Sequence, residues 1–158
     1  MTPFGVFLFA QTYRANADAL ERVVAHIRPR MSDHPRRLLY FQALENFLRS
    51  FLLLHGKSPA HIRDHRHNFS AMLNESQGLG LMVSADVEKF VRSRTLANDY
   101  TRIRYDYQLE DPSARRRMAP SMDVVQTAVR QIEQVVGQAI RSTGVEVSVV
   151  EPHVRREE

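Results

Sequence analysis

A chain of 158 residues, 43% hydrophobic and 25% charged, is long enough to bury one sizeable core and too short for two comfortable domains. It has no cysteine, which excludes disulfides and thiolate metal sites and agrees with a cytoplasmic location. The formal net charge is +4, and of the 22 basic residues only Lys57 and Lys89 are lysine. Arginine's planar fork suits phosphate, although a GC-rich coding sequence produces the same bias. An excess of this size permits a nucleic-acid partner without requiring one.

The first segment, about Pro3 to Arg28, places Phe4, Phe7, Leu8, Ala15, Ala19, Leu20, Val23, Val24 and Ile27 at three- and four-residue steps, which predicts an amphipathic helix. Gln11, Arg14, Asn16, Asp18, Glu21 and Arg22 form its polar surface in this reading, with room for a break near Asn16. Thr2 can cap the helix and Pro3 suits its first position. The apolar start ends at Gln11 and has no basic lead, so it makes a poor signal peptide and is too short to span a membrane. Pro29 predicts a stop near Arg28.

Ser32 or Asp33 can cap the next helix, about Pro35 to His55. Its apolar residues cover most of its circumference, which belongs at the centre of a bundle. Glu45, Asn46 and Arg49 are its polar exceptions. Gly56 is a natural terminator. Ser58-Pro59 starts a histidine-rich helix to about Gln77, with Ile62, Phe69, Met72 and Leu73 facing inward. Ser84-Ala85-Asp86 opens a fourth helix, carried by Val87, Phe90, Val91, Ala97 and Ile103 into the stretch Asn98 to Tyr107.

Gln108 to Pro120, with Arg115-Arg116-Arg117, has a loop composition. The triple arginine is either a phosphate-reaching loop or a solvated one. Ser121 caps a last helix whose stripe is Val125, Ala128, Ile132, Val135, Ala139 and Ile140, closed by Gly144. These segments predict an all-α, up-and-down bundle of four to five helices. It forms one domain over 1–144, followed by a tail over 145–158 that is strand-like or frayed.

The helix Leu38-Leu39-Tyr40-Phe41-Gln42-Ala43-Leu44-Glu45-Asn46-Phe47-Leu48, the continuation Leu52-Leu53-Leu54-His55-Gly56-Lys57-Ser58-Pro59 and the segment Arg102-Ile103-Arg104-Tyr105-Asp106-Tyr107 resemble, in order and spacing, the HEPN domains, a superfamily of small helical bundles. The resemblance spans roughly Phe4 to Ile140. It implies RNA or nucleotide binding, homodimerisation and a role in toxin–antitoxin or defence systems. Active HEPN ribonucleases carry an arginine followed after four to six residues by a histidine, the arginine stabilising phosphate charge and the histidine assisting proton transfer. Here the fifth residue after Arg102 is Tyr107, and the corresponding positions after Arg104 are Leu109, Glu110 and Asp111. The catalytic pattern is not intact, and Arg102 and Tyr107 are the candidates for what replaces it.

Asn98, Arg102, Arg104, Asp106, Tyr107 and Glu45 are the candidate ligand-binding residues. In a continuous helix Arg102 shares a face with Asn98, Asp99, Tyr105 and Asp106, whereas Tyr107 lies about 140° round. Arg102 therefore either makes intrahelical ion pairs or faces a ligand. Glu45 either reaches the surface or meets a cation, for which Arg102 or Arg104 would serve. His61 and His65 have the four-residue spacing of helical zinc ligands, but Ile62 follows His61 and no downstream third ligand is evident. Neither a metal nor a cofactor is expected. The partners expected are RNA or a nucleotide, a second copy of the chain, or a protein docking on Tyr100, Tyr105 and Tyr107. A membrane is not expected.

Overall fold

The structure is a computed structural model and describes residues 1–26, 33–96, 100 and 120–146. Six helices are bounded among the described residues: α1 (Pro3–His26), α2 (His34–Leu54), α3 (Pro59–Asp64), α4 (Phe69–Gly78), α5 (Ala85–Leu96) and α6 (Met122–Arg141). The protein is thus all-α, and no strand occurs among the described residues. No helix among them is long and apolar enough to cross a membrane.

The sequence explains where α2 sits. Tyr40, Phe41, Ala43, Leu44, Phe47, Leu48, Phe51 and Leu52 are all buried, so α2 offers apolar surface in several directions and the other helices wrap it. Its pairing with α1 is antiparallel. The Ser50 hydroxyl donates to the Pro3 carbonyl at 2.8 Å, the Phe7 and Phe47 rings lie 5.2 Å apart, and Arg36 Nε donates to the Ala17 carbonyl at 3.1 Å. Helix α6 runs antiparallel to α1, since Gly137 meets Phe7 while Arg130 meets Asp18. A Cβ on Gly137 would sit 3.0 Å from the Phe7 ring, so glycine permits this close approach. Phe41 reaches the other side, with its ring 6.0 Å from Phe69 of α4 and 6.4 Å from Phe90 of α5. Buried residues from all six helices join one apolar cluster.

Three expectations change. The histidine-rich helix expected as far as Gln77 is two helices. Arg66 adopts φ 52°, in the left-handed region that ends a helix, and the Asn68 side chain restarts one by accepting from Ala71 N at 3.0 Å. Ile62, Phe69, Met72 and Leu73 are nonetheless buried as expected.

The second change concerns α1. It runs through Asn16 without a break, and Gln11, Arg14 and Asp18, expected on its surface, are buried. The core-facing phase runs through Phe7, Ala10, Gln11, Arg14, Ala17 and Asp18, so it turns polar halfway along the helix. An apolar-periodicity reading cannot see such a face. The third change is that Glu45, for which a surface position was one reading, is 2% exposed.

The caps at Ser58 and Ser121 form as expected, accepting from His61 N at 3.1 Å and Val124 N at 3.4 Å. Gly144 follows α6 at φ 84°. Arg115, Arg116, Arg117 and the tail from Val147 lie outside the described residues.

Candidate functional site

Of the sequence-derived candidates, Asn98, Arg102, Arg104, Asp106 and Tyr107 lie outside the described residues. Glu45 and Tyr100 lie within them, and they form parts of one polar seam on α2.

Glu45 sits mid-helix with its carboxylate turned inward. Arg49, one turn on, forms an ion pair with Oε1. His67, in the turn between α3 and α4, brings Nδ1 to within 3.2 and 3.1 Å of the two carboxylate oxygens. A buried carboxylate needs such partners, because an uncompensated charge there is costly. Among the described residues the cation that meets Glu45 is Arg49, and His67 adds a hydrogen bond, while Arg102 and Arg104 lie outside them. An ionised carboxylate only accepts, so Nδ1 carries the hydrogen that faces Glu45. His67 is 42% exposed, and among the described residues its Nε2 has no hydrogen-bond partner. Arg49 is 29% exposed, and its buried Nε likewise has no hydrogen-bond partner among the described residues. The seam thus holds a guanidinium and an imidazole on one buried carboxylate, each side chain partly open to water.

Tyr100 closes one side of the seam. It is buried against the His67 ring, with centroids 4.4 Å apart, and against Phe69 at 5.7 Å. Its hydroxyl accepts from Gln42 Nε2, and Gln42 lies one turn before Glu45 and Asn46 on α2. Asn46 is tied back to α2, donating to the Gln42 carbonyl at 2.8 Å.

A second cluster lies across the turn from the first. Glu75 of α4 meets Lys57 Nζ at 2.6 Å, His61 Nε2 at 2.9 Å and His65 Nε2 at 2.6 Å. The hydrogen bond from Lys57 is the largest influence on its carboxyl. Joined by those from His61 and His65, it outweighs desolvation and holds the group at about 2. Glu75 is the third partner that the spacing of His61 and His65 did not reveal. One long helix would carry residue 75 away from residue 61. The fold at Arg66 brings α4 back, and Asn68 before the apolar Phe69 is the local signal for that restart.

A third polar group is buried between α1, α2 and α6. Asp18 accepts from Arg14 at 2.9 Å, from Arg130 at 2.8 Å, from Gln126 at 3.1 Å and from the Tyr40 hydroxyl. Arg14 also forks onto Glu133, at 2.9 and 3.2 Å, and Gln11 joins the same carboxylate at 3.0 Å. Burial alone would raise the Asp18 carboxyl. The Tyr40 and Arg14 hydrogen bonds and the Arg130 charge outweigh it and hold the carboxyl below its ordinary value. Burial, then the bond to Asp18, pushes the Tyr40 phenol up. Arg14 is 1% exposed and Tyr40 is fully buried, so this group ties three helices together.

Comparison of the chain with protein-family models, with curated proteins and with solved structures finds no match.

Proposed function

We propose that the protein is a HEPN-like helical bundle that binds RNA or a nucleotide along the α2 seam of Glu45, Arg49 and His67. The supporting observation is Tyr100. It is packed into that seam, and it stands two and four residues ahead of Arg102 and Arg104 in the chain. Tyr100, from which the arginine-bearing stretch continues in sequence, thus packs beside His67 of the seam. Arg49 supplies a guanidinium for phosphate, and His67 supplies a ring for hydrogen bonding or base stacking. The HEPN resemblance adds a homodimer, which static light scattering tests, and a place in a toxin–antitoxin or defence system.

The direct test is fluorescence anisotropy with a labelled single-stranded RNA across a salt series, with ATP as competitor. Affinity that falls as salt rises, and that weakens in the Arg102→Ala/Arg104→Ala variant, supports the reading. No salt-sensitive affinity for either ligand overturns it. Cleavage of the RNA that is lost in His67→Ala extends the reading to a metal-independent endoribonuclease with an altered motif.

A further inference from the structure

The cluster on α3 and α4 carries chemistry that the RNA reading does not use. His61 and His65 both turn Nε2 toward one carboxylate, that of Glu75. The two ring nitrogens and a carboxylate oxygen all lie within 4.8 Å of one another. Each residue is held by local structure. His61 is in the first turn of α3, where its backbone N–H is fixed by the Ser58 cap. His65 ends the same helix, with its N–H on the Ile62 carbonyl at 3.3 Å. Glu75 is in the last turns of α4, a helix anchored by Met72 and Leu73 in the core. The three ligand atoms are thus brought together by two capped helices and the turn at Arg66.

We propose that His61, His65 and Glu75 form a binding site for a divalent transition-metal ion of the zinc class. Two imidazoles and one carboxylate are borderline ligands. They suit zinc, copper or nickel and suit magnesium or calcium poorly. Zinc–nitrogen and zinc–oxygen bonds of about 2.0–2.1 Å put tetrahedral ligands about 3.3 Å apart. The histidine–carboxylate distances of 2.6 to 3.0 Å are slightly shorter, as expected where hydrogens rather than an ion bridge the same atoms. To admit the ion, the histidine nitrogens draw back from the carboxylate by about 0.3–0.7 Å, and both Nε2 hydrogens are lost. The rings then carry hydrogen on Nδ1 and present Nε2 lone pairs.

His61 is 48% exposed, whereas His65 and Glu75 are 17% and 19% exposed. One side of the site therefore faces water, which takes the fourth position.

Lys57 is the competitor. Its ammonium holds Glu75 Oε1 at 2.6 Å, and its side chain is 34% exposed on a flexible stem. The ion displaces it from that oxygen, so Lys57 weakens metal binding, and its removal strengthens it.

The test is isothermal titration calorimetry of the full chain, untagged and dialysed against chelator, with zinc chloride alone. Magnesium chloride is the control. Wild type should take up one zinc ion per chain and no magnesium. Glu75→Gln and His65→Ala should bind at least tenfold more weakly. His67→Ala should bind as wild type does, and Lys57→Ala should bind more tightly. Circular dichroism should show all variants folded. Cobalt in place of zinc should give the visible absorption of a tetrahedral centre, lost in His61→Ala.

Absence of zinc binding in the folded wild type would overturn the proposal and leave the cluster as an ion-pair group. So would binding that survives in folded Glu75→Gln and His65→Ala. None of these readouts depends on RNA, so the metal site and the RNA seam can fail separately.

Discussion

Asp18 and Glu45 are both carboxylates turned into the bundle, and both accept from an arginine and from the side chain of a distant residue. Around Asp18 the partners Arg14 and Tyr40 are themselves buried, Arg14 is shared with Glu133, and Arg130 joins from a half-exposed position. Around Glu45 the partners Arg49 and His67 are partly in water. The first group is centred on buried Arg14 and Tyr40, so it works as a joint between α1, α2 and α6. The second holds one carboxylate firmly through partners that stay partly in water. Two fully buried partners make the first a structural joint, whereas the second has none.

This contrast has measurable consequences. The largest expected effect is that of Arg14→Ala. It strands Asp18 and Glu133 without their shared cation and should cost about 3–5 kcal/mol in urea denaturation. Glu45→Ala should cost less, about 1–2 kcal/mol, because Arg49 and His67 can turn to water once released. A loss for Glu45→Ala equal to that for Arg14→Ala would erase the distinction between the two regions.

The Asp18 joint should also be visible in pH. Its carboxyl is lower in the folded protein than in the unfolded chain, so the unfolded state binds the proton first as pH falls. Its contribution is complete above the ordinary carboxylate value of about 3.9 and disappears as pH falls through the lowered folded value. Asp18→Asn should be less stable at neutral pH and should lose less stability on acidification than wild type, as read from chemical denaturation at each pH. The smallest effect is expected at the exposed pair Arg92–Glu88, joined at 2.7 Å on one face of α5. Arg92→Ala should leave the denaturation midpoint at the wild-type value.

The helices were largely legible in the sequence because their signals are local. Ser58-Pro59, Ser121 and Gly144 mark termini, and α2 advertises its central place by being apolar nearly all round. What escaped depends on contacts between distant residues. Nothing near Arg14 in the chain announces Glu133, so its helix phase was taken for a solvent face. An arginine and an aspartate four residues apart, flanked by Ala10, Ala15 and Ala17 and in phase with Phe7, are the available hint. The convergence of Glu75 on His61 and His65 was hidden by reading through the turn at Arg66. Glu45 was recognised as anomalous from its neighbours alone, but its partner His67 could be named only once that turn was in place.

The proposed RNA binding belongs to the Glu45 seam and not to the Asp18 joint. Single-stranded RNA binding by the Arg49→Gln/His67→Ala variant tests it most directly, measured beside wild type and beside Arg130→Gln as a control from the Asp18 joint, at one low salt concentration. All three should first be shown folded by circular dichroism. The account predicts at least a tenfold loss of affinity for the seam variant and wild-type affinity for Arg130→Gln. Equal affinity in all three, or a loss confined to Arg130→Gln, would contradict it.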